Sequence, residues 1–343
     1  MTLQPFPGFK HFTTHHCVTG SLRHVYAFNG YPISEEMLLG LGSGVGFIYW
    51  HPKNSAPFLG GRANAGRPGE EGMEKAAGRC TGVKVELHRT ESTARAEKTM
   101  LELLENRQPA TLALDMGFLP YFDFQGQEYH FGGHVVVACG LDLPNRQVLI
   151  ADRDMPLHMV SLESLAQARG SKYQPFPPHN AWYTFDFSRK RAPLAAEIWP
   201  AIRQCAQGML EPPIANLGIR GIYKAAQCII EWPQIMDDTA LRLACLNAAI
   251  MIDARGGTGG GLFRNMYGHF LEETAGITGE PKLREVAKQF LAAGQHWDDV
   301  AALLDHCYLA DKPQELLIEA SQRLPKIAAI EEKAWRKLWR LSH

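Results

Sequence analysis

Three side chains in this 343-residue sequence have the types and spacing for nucleophilic chemistry: Cys17, His134 and Asp152. Cys17 lies in HFTTHHCVTGSLRHVYAFNG, where a polar Thr/His stretch runs into an amphipathic helix carrying Leu22, Val25 and Tyr26. A thiol at a helix N-terminus feels the positive end of the backbone dipole and unpaired N–H groups. Both favour the thiolate, which is the nucleophilic form. Such a nucleophile needs a base, and the base needs an orienting group. His134 opens the strand-like run GGHVVVACG, and Asp152 closes the next one, VLIAD. If these runs are antiparallel neighbours, His134 at the start of one lies near Asp152 at the end of the other. The carboxylate can then hold one imidazole tautomer while the second ring nitrogen serves Cys17. The plainer reading is a structural histidine and a turn aspartate, which spacing alone does not exclude.

The elements that must position these residues are legible in outline. VKVEL (83–87), ATLALDM (110–116), HVVVACGL (134–141), QVLIAD (147–152) and NAWYTFDF (180–187) read as strands. Helical spacing appears over 92–106, where Met100, Leu101 and Leu104 share a stripe, and over 161–169. This first half is α+β with an antiparallel component. A basic cluster followed by proline, FSRKRAPLA (187–195), marks a boundary, giving two domains at 1–190 and 191–343. Beyond it nearly everything reads as helix: 239–253 behind the caps Asp237 and Asp238, then 262–274, 282–293, 298–310 and 327–341. The last helix carries an Ile327, Ile330, Ala334, Leu338, Leu341 stripe. That stripe suits docking on its own domain better than lying on a membrane surface, because Glu331 and Glu332 offset its basic residues.

Bulk composition excludes more than it names. With 35 Lys+Arg against 36 Asp+Glu and 45% hydrophobic residues, the chain is neither disordered nor built for nucleic acid. No run approaches a membrane span, and the N-terminus lacks a basic region followed by an apolar one, so a cytoplasmic location is the default expectation. Seven scattered cysteines without a C-x-x-C pair make neither a disulfide framework nor a zinc ribbon. The HHC run at 15–17, even with His130, lacks metal-ligand spacing, so neither metal nor cofactor is expected. The Gly-rich stretches 60–72 and 255–264 lack a G-K-[ST] and read as turns or lids. In the second, Arg255 and Arg264 are candidates to hold an anionic group.

The order Cys, His, Asp and the helix-start cysteine match papain-like enzymes. HCVTGSLRHVYAFNGYPISEEMLLGLGSGVGFIYW (16–50), LALDMGFLPYF (112–122), HFGGHVVVACGLDLPNRQVLIAD (130–152) and LESLAQARGS (162–171) together resemble the family named for the butirosin biosynthesis protein H N-terminal domain. RGGTGGGLFRNMYGHFLEE (255–273) resembles the domain of unknown function that accompanies it. This resemblance implies a papain-like fold used for acyl transfer, with Cys17 as nucleophile, His134 as base and Asp152 as its orienter. It implies an acyl thioester donor, on an acyl-carrier protein or coenzyme A, and a small-molecule amine or hydroxyl acceptor in specialised metabolism. SRKR (188–191) is the expected basic patch for an acidic carrier. Asp115 and Tyr121 are expected to line the acceptor pocket, unless they form an ordinary strand end. Ser34 is read as a helix cap, Arg169 as a helix C-terminal cation, and 40–47 as a tight backbone path near the site. The segment 11–16 has no Gln for an oxyanion hole, leaving His16 or a threonine. The helical half is read as the source of either an acceptor pocket or a homo-oligomer interface. Two competing functions stand beside transfer: an amidase or thioesterase of the same fold, and a non-catalytic binding module with an unreactive Cys17.

Overall fold

The computed structural model describes residues 3–52, 56–66, 71–124, 126 and 128–343. In chain order the elements begin with α1 (Cys17–Phe28), α2 (Glu35–Leu41), β1 (Val45–Trp50), β2 (Phe58–Arg62), α3 (Met73–Thr81), β3 (Lys84–His88), α4 (Thr93–Glu105) and β4 (Ala110–Leu114). Then come β5 (His134–Asp142), β6 (Gln147–Ala151), β7 (His158–Ser161), α5 (Leu162–Gly170) and β8 (Trp182–Asp186). The rest is helical: α6 (Ala195–Leu210), α7 (Gly218–Ile229), α8 (Trp232–Ile235), α9 (Asp238–Ile252), α10 (Arg264–Thr278), α11 (Lys282–Cys307) and α12 (Pro313–Leu341). Among the described residues, no helix is long and apolar enough to cross a membrane.

The chain divides into two compact units, and the division corrects the contiguous split expected at 190/191. One unit is Met1–Leu38 with Thr81–Arg191, and the other is Leu39–Cys80 with Ala192–His343. The first is α+β. Its six strands form one antiparallel sheet in the order β3-β8-β4-β5-β6-β7. Because side chains alternate across a strand, Val136, Ala138, Val148 and Ile150 bury one face with Met100 and Leu104 of α4 and Leu165 of α5. Val137, Cys139, Leu149 and Ala151 bury the other face with Val25 of α1. Both faces are covered, which is why β5 reads as a continuous apolar run. Val137 pairs with Ala151. One step along that register sets Asp152 opposite Val136, and His134 is the next residue on the same face.

The second unit is mostly helical, and its motif RGGTGGGLFR is a structural clamp. Four glycines from Gly257 to Gly261, with Leu262 and Phe263, take positive φ. Thr258 Oγ1 ties this loop to the carbonyls of Ile252 and Asp253, and Asp298 accepts from Gly261 N–H at 2.7 Å. Arg264 and Glu331 are both fully buried and form a two-pronged ion pair at 2.8 Å. Helix α11 runs unbroken through Gly294, where two helices were expected. A Cβ there would collide with Asn265 Oδ1, so the glycine is kept for close approach and not as a helix break. The segment expected to line the site, 40–47, sits in this unit as a helix end, a turn with Ser43 at φ 53 and the start of β1. Tyr49 of β1 anchors it there, accepting from Trp232 Nε1 at 3.1 Å. Part of the other Gly-rich stretch, 67–70, lies outside the described residues.

Candidate active site

Cys17 begins α1 and is partly exposed. His16 caps the helix: its Nδ1 accepts from Thr19 N–H and its carbonyl from Gly20 N–H. The approach to the cap is organised from the start of α2. There Ser34 accepts from Met37 N–H, as a helix cap does. The Glu35 side chain is buried at 1% exposure and accepts from His15 N–H at 2.9 Å, His16 N–H at 3.1 Å and Thr19 Oγ1 at 3.2 Å. Burial raises its pKa, and the two backbone donors oppose that rise. Replacing Glu35 by Ala leaves those amides unpaired in a buried place. The expected result is a loss of about 1–3 kcal/mol of stability in denaturant unfolding, together with slower alkylation of Cys17.

Behind Cys17 the expected register brings His134 and Asp152 together. His134 Nε2 lies 2.7 Å from Asp152 Oδ2, and both residues are buried. The same Oδ2 accepts the Tyr121 hydroxyl at 2.9 Å, and Oδ1 accepts Arg153 N–H at 2.8 Å. Burial would keep Asp152 protonated, but the His134 charge and these hydrogen bonds outweigh it and hold its pKa at about 2. Burial likewise works against a charged His134, but the Asp152 charge and hydrogen bond, with the Cys17 thiol, raise it to about 10. For Cys17, burial favours the thiol. The hydrogen bond and charge of His134, Val135 N–H and Arg153 together win, and its pKa falls below the usual thiol value. Cys139 and Cys205 go the other way, pushed by burial to about 12 and about 11. With Nε2 committed to the carboxylate, Nδ1 is the ring nitrogen left for the thiol. Such an arrangement can hold a thiolate–imidazolium pair and return a proton from the same imidazole.

The remaining candidates are placed differently. Tyr121 belongs to the His134–Asp152 pair: burial and the Asp152 charge keep its phenol protonated, so it donates to the carboxylate while its ring stacks on His158 at 3.9 Å. Asp115 is fully buried and accepts from Ser171 Oγ, Gly117 N–H and Phe131 N–H, with His130 Nδ1 at 2.9 Å on the same carboxylate. It therefore latches a loop and has no free oxygen for a cationic acceptor. Arg264 is spent on Glu331 and on the Gly46 and Leu262 carbonyls, and Arg255 bridges Asp253 and Asp305. Neither is free to take an anion. Arg169 donates to the Ala96 carbonyl and does not cap its own helix. In SRKR, Lys190 Nζ is bound to the Asn29 carbonyl. No group of three or more His, Cys, Asp or Glu with metal-holding geometry occurs among the described residues.

A cysteine-bearing helix against an antiparallel sheet, with His134 opening one strand and Asp152 just past the end of its neighbour, defines the first unit as papain-like α+β, and the second is mostly helical. Residues 163–338 match the family model described as Domain of unknown function (DUF4872), and the chain belongs to that family. Residues 16–153 match the model described as Butirosin biosynthesis protein H, N-terminal, and the two matches together give the bipartite architecture of such proteins. No curated protein matches the chain. Family membership supports a cysteine-dependent acyl-transfer or hydrolytic activity in specialised metabolism.

Proposed function

We propose that the chain is an acyltransferase in which Cys17 is the nucleophile, His134 the proton carrier and Asp152 its orienter. The observation that carries this reading is the buried His134–Asp152 pair, with Oδ2 2.7 Å from Nε2, and the lowering of the Cys17 thiol by the same imidazole supports it. The Cys17 thiolate attacks the carbonyl carbon of an acyl thioester on an acyl-carrier protein or coenzyme A. The donor thiolate leaves with the proton of the His134 imidazolium, and the acyl group stays on Sγ. An acceptor amine then attacks, neutral His134 takes its proton, and the Cys17 thiolate departs, restoring the ion pair. Backbone N–H groups at the start of α1 are the nearest donors for the tetrahedral oxyanion.

Intact-mass spectrometry after incubation with a panel of acyl thioesters tests the reading. The expected result is an acyl adduct absent in Cys17→Ser and released faster by amines than by water. Faster release by water across the amine panel would make the chain a hydrolase of the same fold. An unreactive Cys17, slow to alkylate and never acylated, would leave a non-catalytic binding module.

A further inference from the structure

The loop that carries Tyr121 also carries a row of aromatic rings running outward from the imidazole. The Phe122 ring meets the His134 ring nearly at right angles, with centroids 5.7 Å apart. Phe124 stacks on Phe122 at 5.9 Å and 17°, and Tyr129 leans on Phe124 at 4.8 Å. Exposure rises along the row, from 2% at His134, through partly buried Phe122 and Phe124, to 37% at Tyr129. Phe122 itself packs against the core beneath the loop, and Phe124 and Tyr129 continue the row outward from it towards solvent.

The far end of the row is held rigidly. Asp115 Oδ1 accepts from Phe131 N–H at 3.0 Å, Asp115 Oδ2 holds His130, and Met116 N–H bonds to the Phe131 carbonyl at 3.1 Å. Gly117 faces the Tyr129 carbonyl so closely that a Cβ there would collide with it. The His130 ring lies flat on Tyr173, 3.4 Å away. The loop is therefore latched on both sides of the aromatic row, by Asp115 at one end and by the Tyr121–Asp152 hydrogen bond at the other. Holding those two ends in place lowers the ordering cost of binding.

We propose that Phe122, Phe124 and Tyr129 form a track that receives a flat, apolar acyl group, such as an aryl or conjugated chain, as it is delivered to Cys17. The track starts at the imidazole that serves the thiol, so its inner end lies beside the proton carrier of the proposed acyl-enzyme. Stacking and edge contacts with aromatic faces would then distinguish aryl from small acyl groups. The proposal rests on the acyl-enzyme reading of Cys17, and its test separates the two.

Two probe pairs are used on the full-length chain. One compares the N-acetylcysteamine thioesters of cinnamic and acetic acid. The other compares N-phenyl chloroacetamide with chloroacetamide, which alkylate Cys17 without any acyl chemistry. Each Cys17 rate, read by intact mass, is divided by the rate of the same probe with free cysteine. After this correction the aromatic member of each pair is expected to react about 10-fold faster, the equivalent of one or two stacked contacts. Phe124→Ala and Tyr129→Ala should each remove most of that preference and leave the small probe unchanged. Equal corrected rates in the unaltered chain, or a preference untouched by both substitutions, would overturn the track. If neither thioester acylates Cys17, the acyl-enzyme reading fails, while the chloroacetamide pair still reads the track. A Phe124→Ala protein that folds poorly would slow the small probe too, and Tyr129→Ala at the exposed end then decides.

Discussion

Asp152→Asn is expected to slow acylation of Cys17 by about 10²–10⁴-fold, the range over which a misoriented, uncharged partner disables a catalytic imidazole. Two effects combine. Asn can turn its NH₂ toward Nε2 and so favour the wrong tautomer, and it removes the charge that outweighs burial at His134. The pH profile gives a second readout that a purely structural defect would not move. In the unaltered chain the thiolate–imidazolium pair exists between the lowered Cys17 pKa and the His134 pKa of about 10. Below that window the thiolate takes a proton, and above it the imidazolium loses one. Without the Asp152 charge, burial prevails and the His134 pKa falls, so the alkaline edge moves down. Cys17 loses its cationic neighbour, so the acid edge moves up. Iodoacetamide alkylation, which reads the thiolate, should therefore set in at higher pH in the variant than in the native chain. Acylation, which also needs the imidazolium to protonate the departing donor thiolate, should fall off at lower pH in the variant than in the native chain. Superimposable profiles would remove Asp152 from the site's chemistry.

The placement of Cys17 at a helix start and of His134 beside Asp152 could be read from the sequence because each depends on local rules. A helix start is marked by its own cap, and antiparallel strands joined by a short turn have a register that places His134 beside Asp152. The rest depends on contacts that no local pattern encodes. Glu35 reaches back 20 residues to His15, and it looks like any acidic residue in a first helical turn. Asp115 and Tyr121 carry groups that would suit a pocket, but Asp115 is consumed by partners as far away as Ser171, and Tyr121 by Asp152. The β1–β2 hairpin is hard to read because β2, FLGGR, is glycine-rich and hides the partner of β1, whose VGFIYW does have strand propensity. Composition shifts near 190 marked one boundary, but the association of 39–80 with the helical unit is a matter of long-range packing. Arg264 was misread for the same reason: its partner lies 67 residues away, across two helices.

That distant partner sets the second large effect. Glu331→Leu should cost about 3–5 kcal/mol, the usual result of stripping one member from a buried ion pair. Glu331 Oε1 takes Arg264 Nε and Trp297 Nε1, while Oε2 takes Arg264 Nη2 and Trp335 Nε1. Removing it leaves a buried guanidinium without a counter-charge and two indole N–H groups without acceptors. Arg264→Met removes the cation and leaves Glu331 buried with only the indoles, and it also frees the Gly46 carbonyl, which Arg264 Nη1 holds at 2.8 Å. The Arg264→Met, Glu331→Leu double variant discards both charges. It should therefore be more stable than the two single losses added together, because neither ion is then stranded. Denaturant unfolding followed by tryptophan fluorescence supplies the four corners of this cycle. Single losses below about 1 kcal/mol, or strict additivity, would mean that the motif RGGTGGGLFR holds its fold by backbone turns alone and that the ion pair is incidental to it.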